Sequence, residues 1–176
     1  MALRLERVID GDNPREIARL TAAAMNGLVA ENLAQIDISA SRGKPIPPLY
    51  ACGVRYLTVL VPRRAWWSIW EVLEVGGGIC EDFACWRIAE LGKAGVEARP
   101  MVYFPEDGGR MMHALVGVLN TPENVKRWKD LTIEQCKGVD GFPGPAPAIS
   151  TTVVMHKGRP FKIEDPSRTL GMPGKV

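Results

Sequence analysis

The sequence predicts an α+β domain in which helices pack on a small antiparallel sheet. Helical stretches with start and stop signals read at residues 12–36, 63–75 and 80–94, and two pairs of short apolar runs, at 96–119 and 150–165, read as hairpins around turn-rich links. With 176 residues, 46% of them hydrophobic and 24% charged, the chain can bury one substantial core, so a single domain spanning 1–176 is expected.

The first helix opens with Asp12 or Asn13 as cap and Pro14 at the first helical position, and Ile17, Leu20, Ala24 and Leu28 follow at helical spacing. SRGKPIPP (41–48) is loop-like, and CGVRYLTVLVP (52–62), rich in β-branched and aromatic residues, reads as a strand that ends at a proline. RRAWWSIWEVLEV (63–75) reads as a helix stopped by Gly76, Gly77 and Gly78. Cys80 then opens a further helix, with Ala84, Ile88 and Leu91 on one stripe and Gly95 closing it.

VEARPMVYF (96–104) and MMHALVGVL (111–119), joined by PEDGGR, form the expected hairpin, whose alternation puts Met111, His113 and Leu115 on one face. A weak helix is expected over 121–138, beginning Thr121-Pro122-Glu123, and GFPGPAPA (141–148) reads as a polyproline-like loop. STTVVMH and PFKIED flank a turn at Lys157-Gly158, and the residues from Pro166 on read as a tail or surface-hugging segment.

The net charge of +2 is a small difference between 22 basic and 20 acidic residues, which are scattered, so electrostatics supports neither a nucleic-acid nor a membrane-surface role. The opening MALRLERVIDGDNPREIARL has no uninterrupted apolar stretch of the secretory kind, and no run approaches the roughly 18 apolar residues of a membrane span. A soluble chain made in the cytoplasm is expected. Four cysteines, Cys52, Cys80, Cys85 and Cys136, are sparse for a disulfide framework and read as reduced.

A thiol attacks an amide or ester as its thiolate, and a free cysteine with a pKa of about 8.5 is mostly protonated at neutral pH. The first turn of a helix favours an anion, so Cys80 stands where a nucleophile gains support, and its own N–H can serve an oxyanion. The preceding glycines would let a substrate carbonyl approach the backbone closely. Glu81 and Asp82 oppose this, because their charges raise the thiol. Of two histidines, His113 lies in an apolar strand and His156 at a polar turn, which makes His113 the better proton acceptor. Asp165, at the end of the last strand, is placed to orient the imidazole, whereas Glu164 points to the opposite face.

GGGICEDFACWRIAELGKAGVEARPMVYF, followed by His113-Ala114-Leu115-Val116 and Asp165-Pro166-Ser167, resembles the core motif of the transglutaminase-like superfamily over 76–119 and 161–168. Within it, the glycine-rich Cys-Glu-Asp run and the Asp-Pro-Ser-Arg ending are similar to short cysteine domains of tailed bacteriophages. The resemblance implies a transglutaminase-like, papain-like cysteine protease fold and a Cys80–His113–Asp165 catalytic triad. It also implies amide or peptide hydrolysis, or acyl transfer, through a thioester. Relative to the compact family pattern, 120–150 reads as an insertion, to be explained as a lid, a docking loop or slack.

The implied partner is a protein or peptide substrate, joined by other virion or assembly proteins if the chain is phage-encoded, when its place is the host cytoplasm or the virion. No cofactor and no metal are expected. The oligomeric state is not specified by these residues.

Plainer readings stand beside these. Cys80 alone is an inert buried thiol, His113 a structural histidine and Asp165 a turn residue; only their combination argues for chemistry. Cys85, Cys52 and Cys136 read as packing residues. A zinc site from Cys80, Cys85, His113 and Cys136 lacks the paired knuckles of structural sites. Trp66, Trp67 and Trp70 read mainly as core, and the glycines lack the lysine of a phosphate loop. The rival from another class is a non-catalytic structural or assembly module of a phage-like particle that keeps the same fold.

Overall fold

The computed structural model describes residues 13–58, 65–103, 112–137 and 144–173. A helix at the centre organises it. α3 (Cys80–Lys93) buries Cys80 through Ala89, and Leu91, against neighbours on both sides. On one side Ala84, Cys85, Ile88 and Leu91 meet Met25 and Leu28 of α1 (Pro14–Ser41), Ala114, Val116 and Val118 of the sheet, and Trp128. On the other, Phe83 and Trp86 join Leu49, Tyr50, Val54, Ile69 and Val72 in a second cluster. A helix buried on nearly every face, Glu81, Asp82 and Arg87 included, is one that folding encloses rather than lays on a surface.

Asn13, not Asp12, caps α1, accepting the Arg15 N–H at 3.1 Å, and the helix runs five residues past the expected end at 36. Its buried seam is Thr21, Met25, Leu28, Asn32 and Gln35. Of the expected stripe only Leu28 lies in it, and Ile17, Leu20 and Ala24 are half-buried. The polar members have a task. Asn32 Oδ1 accepts the Ile69 N–H at 3.0 Å and Gln35 Oε1 the Trp70 N–H at 3.2 Å, so α1 satisfies the orphan donors at the start of α2 (Ile69–Val75).

Two expectations before α3 are corrected. Of the strand expected over 52–62, only β1 (Arg55–Tyr56) forms, pairing in parallel with β2 (Gly77–Gly78); residues 59–62 lie outside the described residues. The helix expected from 63 begins at Ile69, because Glu71 reaches back to the Ser68 N–H at 2.8 Å and fixes the start there. Trp66 and Trp67 are consequently non-helical and half-buried, and Trp70 is 45% exposed rather than core.

The main sheet has the order β3-β4-β6-β5 and is antiparallel throughout: β3 (Ala98–Tyr103), β4 (His113–Leu119), β5 (Ile149–His156) and β6 (Arg159–Glu164). Both expected hairpins are present. The PEDGGR link and Met111 lie outside the described residues, while Lys157 (φ 49°) and Gly158 (φ 74°) form a two-residue turn that needs left-handed backbone. Between the hairpins, α4 (Pro122–Gln135) sends Trp128 and Thr132 fully into the core, so this part of 120–150 is packed structure and neither lid nor slack.

The chain after β6 is corrected too. Asp165 caps a short helix, α5 (Pro166–Thr169), whose Pro166, Ser167 and Thr169 are buried, and Leu170 accepts the Tyr56 N–H at 3.0 Å. It is an integral return to β1, not a tail. Among the described residues, no helix is long and apolar enough to cross a membrane.

Candidate active site

Cys80 occupies the first position of α3, where its N–H lacks an intrahelical acceptor. Asp82 secures this helix start: its Oδ2 accepts the Ile79 N–H at 2.9 Å and its Oδ1 the Trp67 N–H at 2.8 Å. Gly77 and Gly78 before it admit close approach of this chain's own backbone and side chains. A Cβ on Gly77 would lie 2.5 Å from the Arg55 carbonyl oxygen, and one on Gly78 would lie 3.0 Å from Asp82 Oδ2.

β4 and β6 are the two central strands, and the site forms at their ends, not at an edge strand as a peripheral triad would require. His113 is the first residue of β4, and Asp165 directly follows β6. Their side chains meet, His113 Nε2 to Asp165 Oδ2 at 2.8 Å. Asp165 also accepts the Arg168 N–H at 3.2 Å through Oδ1, and the Arg168 guanidinium stands 3.3 Å from Oδ2. His113 Nδ1 is buried with no hydrogen-bond partner among the described residues. In the tautomer that donates Nε2–H to Asp165, Nδ1 carries the free lone pair.

Cys80 packs in one buried cluster with Ala114, the residue after His113, whose backbone N–H favours the thiolate. Of the two opposing effects at this thiol, the one that disfavours the anion prevails. Burial pushes the thiol far above its ordinary 9.0, and the Glu81 carboxylate adds to this by its charge and by accepting the S–H at 3.0 Å; the Ala114 and Glu81 N–H groups pull the other way. The resting residue is a neutral thiol.

Cys85 is fully buried with its thiol on the Met25 carbonyl at 3.5 Å, and Cys52 and Cys136 pack against the second cluster. All four cysteines are free. The four residues of the zinc alternative do not come together, and among the described residues no three His, Cys, Asp or Glu side chains are grouped to hold a metal ion. His156 ends β5 with its ring edge-on to Phe161.

Behind the site lies a buried network that pattern reading missed. Glu164, fully buried, takes Arg87 Nε at 2.8 Å and hydrogen bonds from the Tyr50 hydroxyl and the Trp128 indole, and Arg87 also bonds Thr132 and Gln135. An arginine between Trp86 and Ile88 of α3 was the available signal. Comparison with protein-family models, with curated proteins and with solved structures gives no match.

Proposed function

We propose that this domain is a transglutaminase-like cysteine enzyme that cleaves or transfers carboxamides through a thioester on Cys80. The observation that carries this reading is the pairing of His113 Nε2 with Asp165 while Nδ1 stays unpartnered, at the strand end where Ala114 packs in one cluster with Cys80. A histidine kept only for structure would satisfy both ring nitrogens when buried.

In this reading Sγ attacks the carbonyl carbon as Nδ1 of His113 takes the thiol proton. Because the resting thiol is neutral, proton removal belongs to the attack itself instead of preceding it. Asp165 holds the Nε2–H and stabilises the imidazolium, with Arg168 steadying the carboxylate. The Cys80 N–H meets the developing oxyanion. Collapse breaks the C–N bond, and the amine leaves with the proton from Nδ1. Water then returns the acid and the free thiol, whereas a second amine yields a new amide.

The test incubates the chain with a denatured, glutamine-rich protein and a fluorescent primary amine. Amine incorporation reports transfer, while ammonia or new N-termini report hydrolysis. Either product, lost in Cys80→Ala, supports the reading; absence of all of them under every condition overturns it in favour of a structural or assembly module.

A further inference from the structure

Glu81 is a buried carboxylate whose placement the proposed reaction does not explain. It is 6% exposed, and its Oε2 accepts the Cys80 S–H. Glu164 and Glu90 both face the Arg87 guanidinium, at 2.8 and 3.1 Å, but no cation pairs with Glu81 among the described residues. Enclosing an unpaired carboxylate costs free energy, so a side chain serving packing alone would be apolar here. Its hydrogen-bond partner is the proposed nucleophile itself.

The surroundings of Sγ isolate the effect. From β4 comes the Ala114 N–H; His113, the residue before it, is held by Asp165, which Arg168 backs. From α3, Asp82 is turned away to the Ile79 and Trp67 N–H groups, and Cys85 is a neutral buried thiol. From α1, Met25 and Leu28 are uncharged. Glu81 is therefore the carboxylate in hydrogen-bond contact with the thiol, and it holds the S–H hydrogen that His113 must receive.

We propose that Glu81 is a positioning residue that keeps Cys80 in its thiol form with the S–H turned from His113, and that an incoming acyl group releases it. The inference rests on the enzymatic reading above. In the resting site Sγ–H donates to Glu81 Oε2. Substrate entering beside Cys80 displaces that bond, the S–H turns to His113 Nδ1, and the proton passes to the imidazole as the S–C bond forms. No proton is gained or lost overall, and Glu81 remains a carboxylate. The arrangement limits off-target alkylation and oxidation of a thiol that reacts only when a substrate is in place.

The experiment follows iodoacetamide alkylation of Cys80 against pH by mass spectrometry in the full chain, comparing wild type with Glu81→Gln and Glu81→Asp. Glu81→Gln keeps the shape and removes the charge, so its profile moves to lower pH and its rate at pH 8 rises about tenfold, the thiolate gain from a one-unit fall in pKa. Glu81→Asp, which keeps the charge, stays near wild type. A Glu81→Gln profile that superimposes on wild type, or equal shifts in Glu81→Gln and Glu81→Asp, overturns the inference. His113→Ala reports separately in the amine-incorporation assay: if it leaves product formation unchanged, the enzymatic reading falls whatever Glu81 does.

Discussion

Glu164 and Asp165 are neighbours in the chain that serve different partners, Glu164 bonding Arg87 at 2.8 Å and Asp165 bonding His113 at 2.8 Å. The first contact is buried at the centre of the domain and the second lies at the strand end. Anchoring Glu164 fixes the end of β6, and with it the point from which Asp165 reaches the imidazole. Core electrostatics and candidate site thus share one peptide bond.

Arg87→Ala is expected to destabilise the domain by about 3–5 kcal/mol, because Glu164 is left buried without its cation. The double variant Arg87→Met/Glu164→Gln should lose less than the sum of its single changes, since each single change strands its partner in this pair and the double change removes both, while Glu90 loses Arg87 either way. Urea unfolding of wild type, Arg87→Ala, both single changes and the double variant measures both quantities, and strict additivity would show that the pair is not coupled.

Asp165→Asn should separate chemistry from stability. Asparagine caps helices as well as aspartate does, so α5 is preserved and the unfolding midpoint changes little. The amide can no longer both accept the Nε2–H and stabilise an imidazolium, and acyl-transfer rate should fall by about 10³–10⁴. Parallel kinetics and thermal unfolding check the contrast.

Trp128 tests whether α4 belongs to the core. Trp128→Ala is expected to cost about 3–5 kcal/mol as a large buried side chain is removed. Trp128→Phe should cost about 1–3 kcal/mol, largely for the indole N–H that Glu164 loses. A removable lid would show neither loss in a denaturant titration.

Stability should decline in alkali. Cys80, Cys85 and Tyr50 all ionise at higher pH folded than unfolded, burial being the first cause in each. Above the ordinary thiol value of 9.0 the unfolded chain therefore binds fewer protons than the folded one, and unfolding free energy falls as pH rises. The contribution is fully present below that value. Denaturant midpoints between pH 7 and 10.5 should fall, and Cys85→Ala should flatten the decline.

Periodicity and turn chemistry made the α+β class, both hairpins and the start of α3 legible, because Pro14, Gly76, Gly95 and Lys157-Gly158 mark element ends through local backbone preference. The His113–Asp165 contact also followed from strand order and the ends of two strands. What escaped was long-range polar pairing. Asn32 and Gln35 look like a solvated face until α2 docks its N–H groups on them. Arg87, Glu164 and Tyr50 look like surface residues until the chain places them together. The shortened β1 has the same origin, since strand propensity at 52–62 says nothing about the partner, which is a two-residue glycine segment.

The most direct test of the central claim compares Cys80 alkylation in Glu81→Gln and Glu81→Gln/His113→Ala across pH 6–10, with Cys85 as the buried internal control. The account predicts that Cys80, its S–H released from Glu81, reacts faster than Cys85, and that removing the imidazole slows Cys80 alone. Equal rates at Cys80 with and without the imidazole would contradict a Cys80–His113 proton transfer and leave a folded domain without the proposed chemistry.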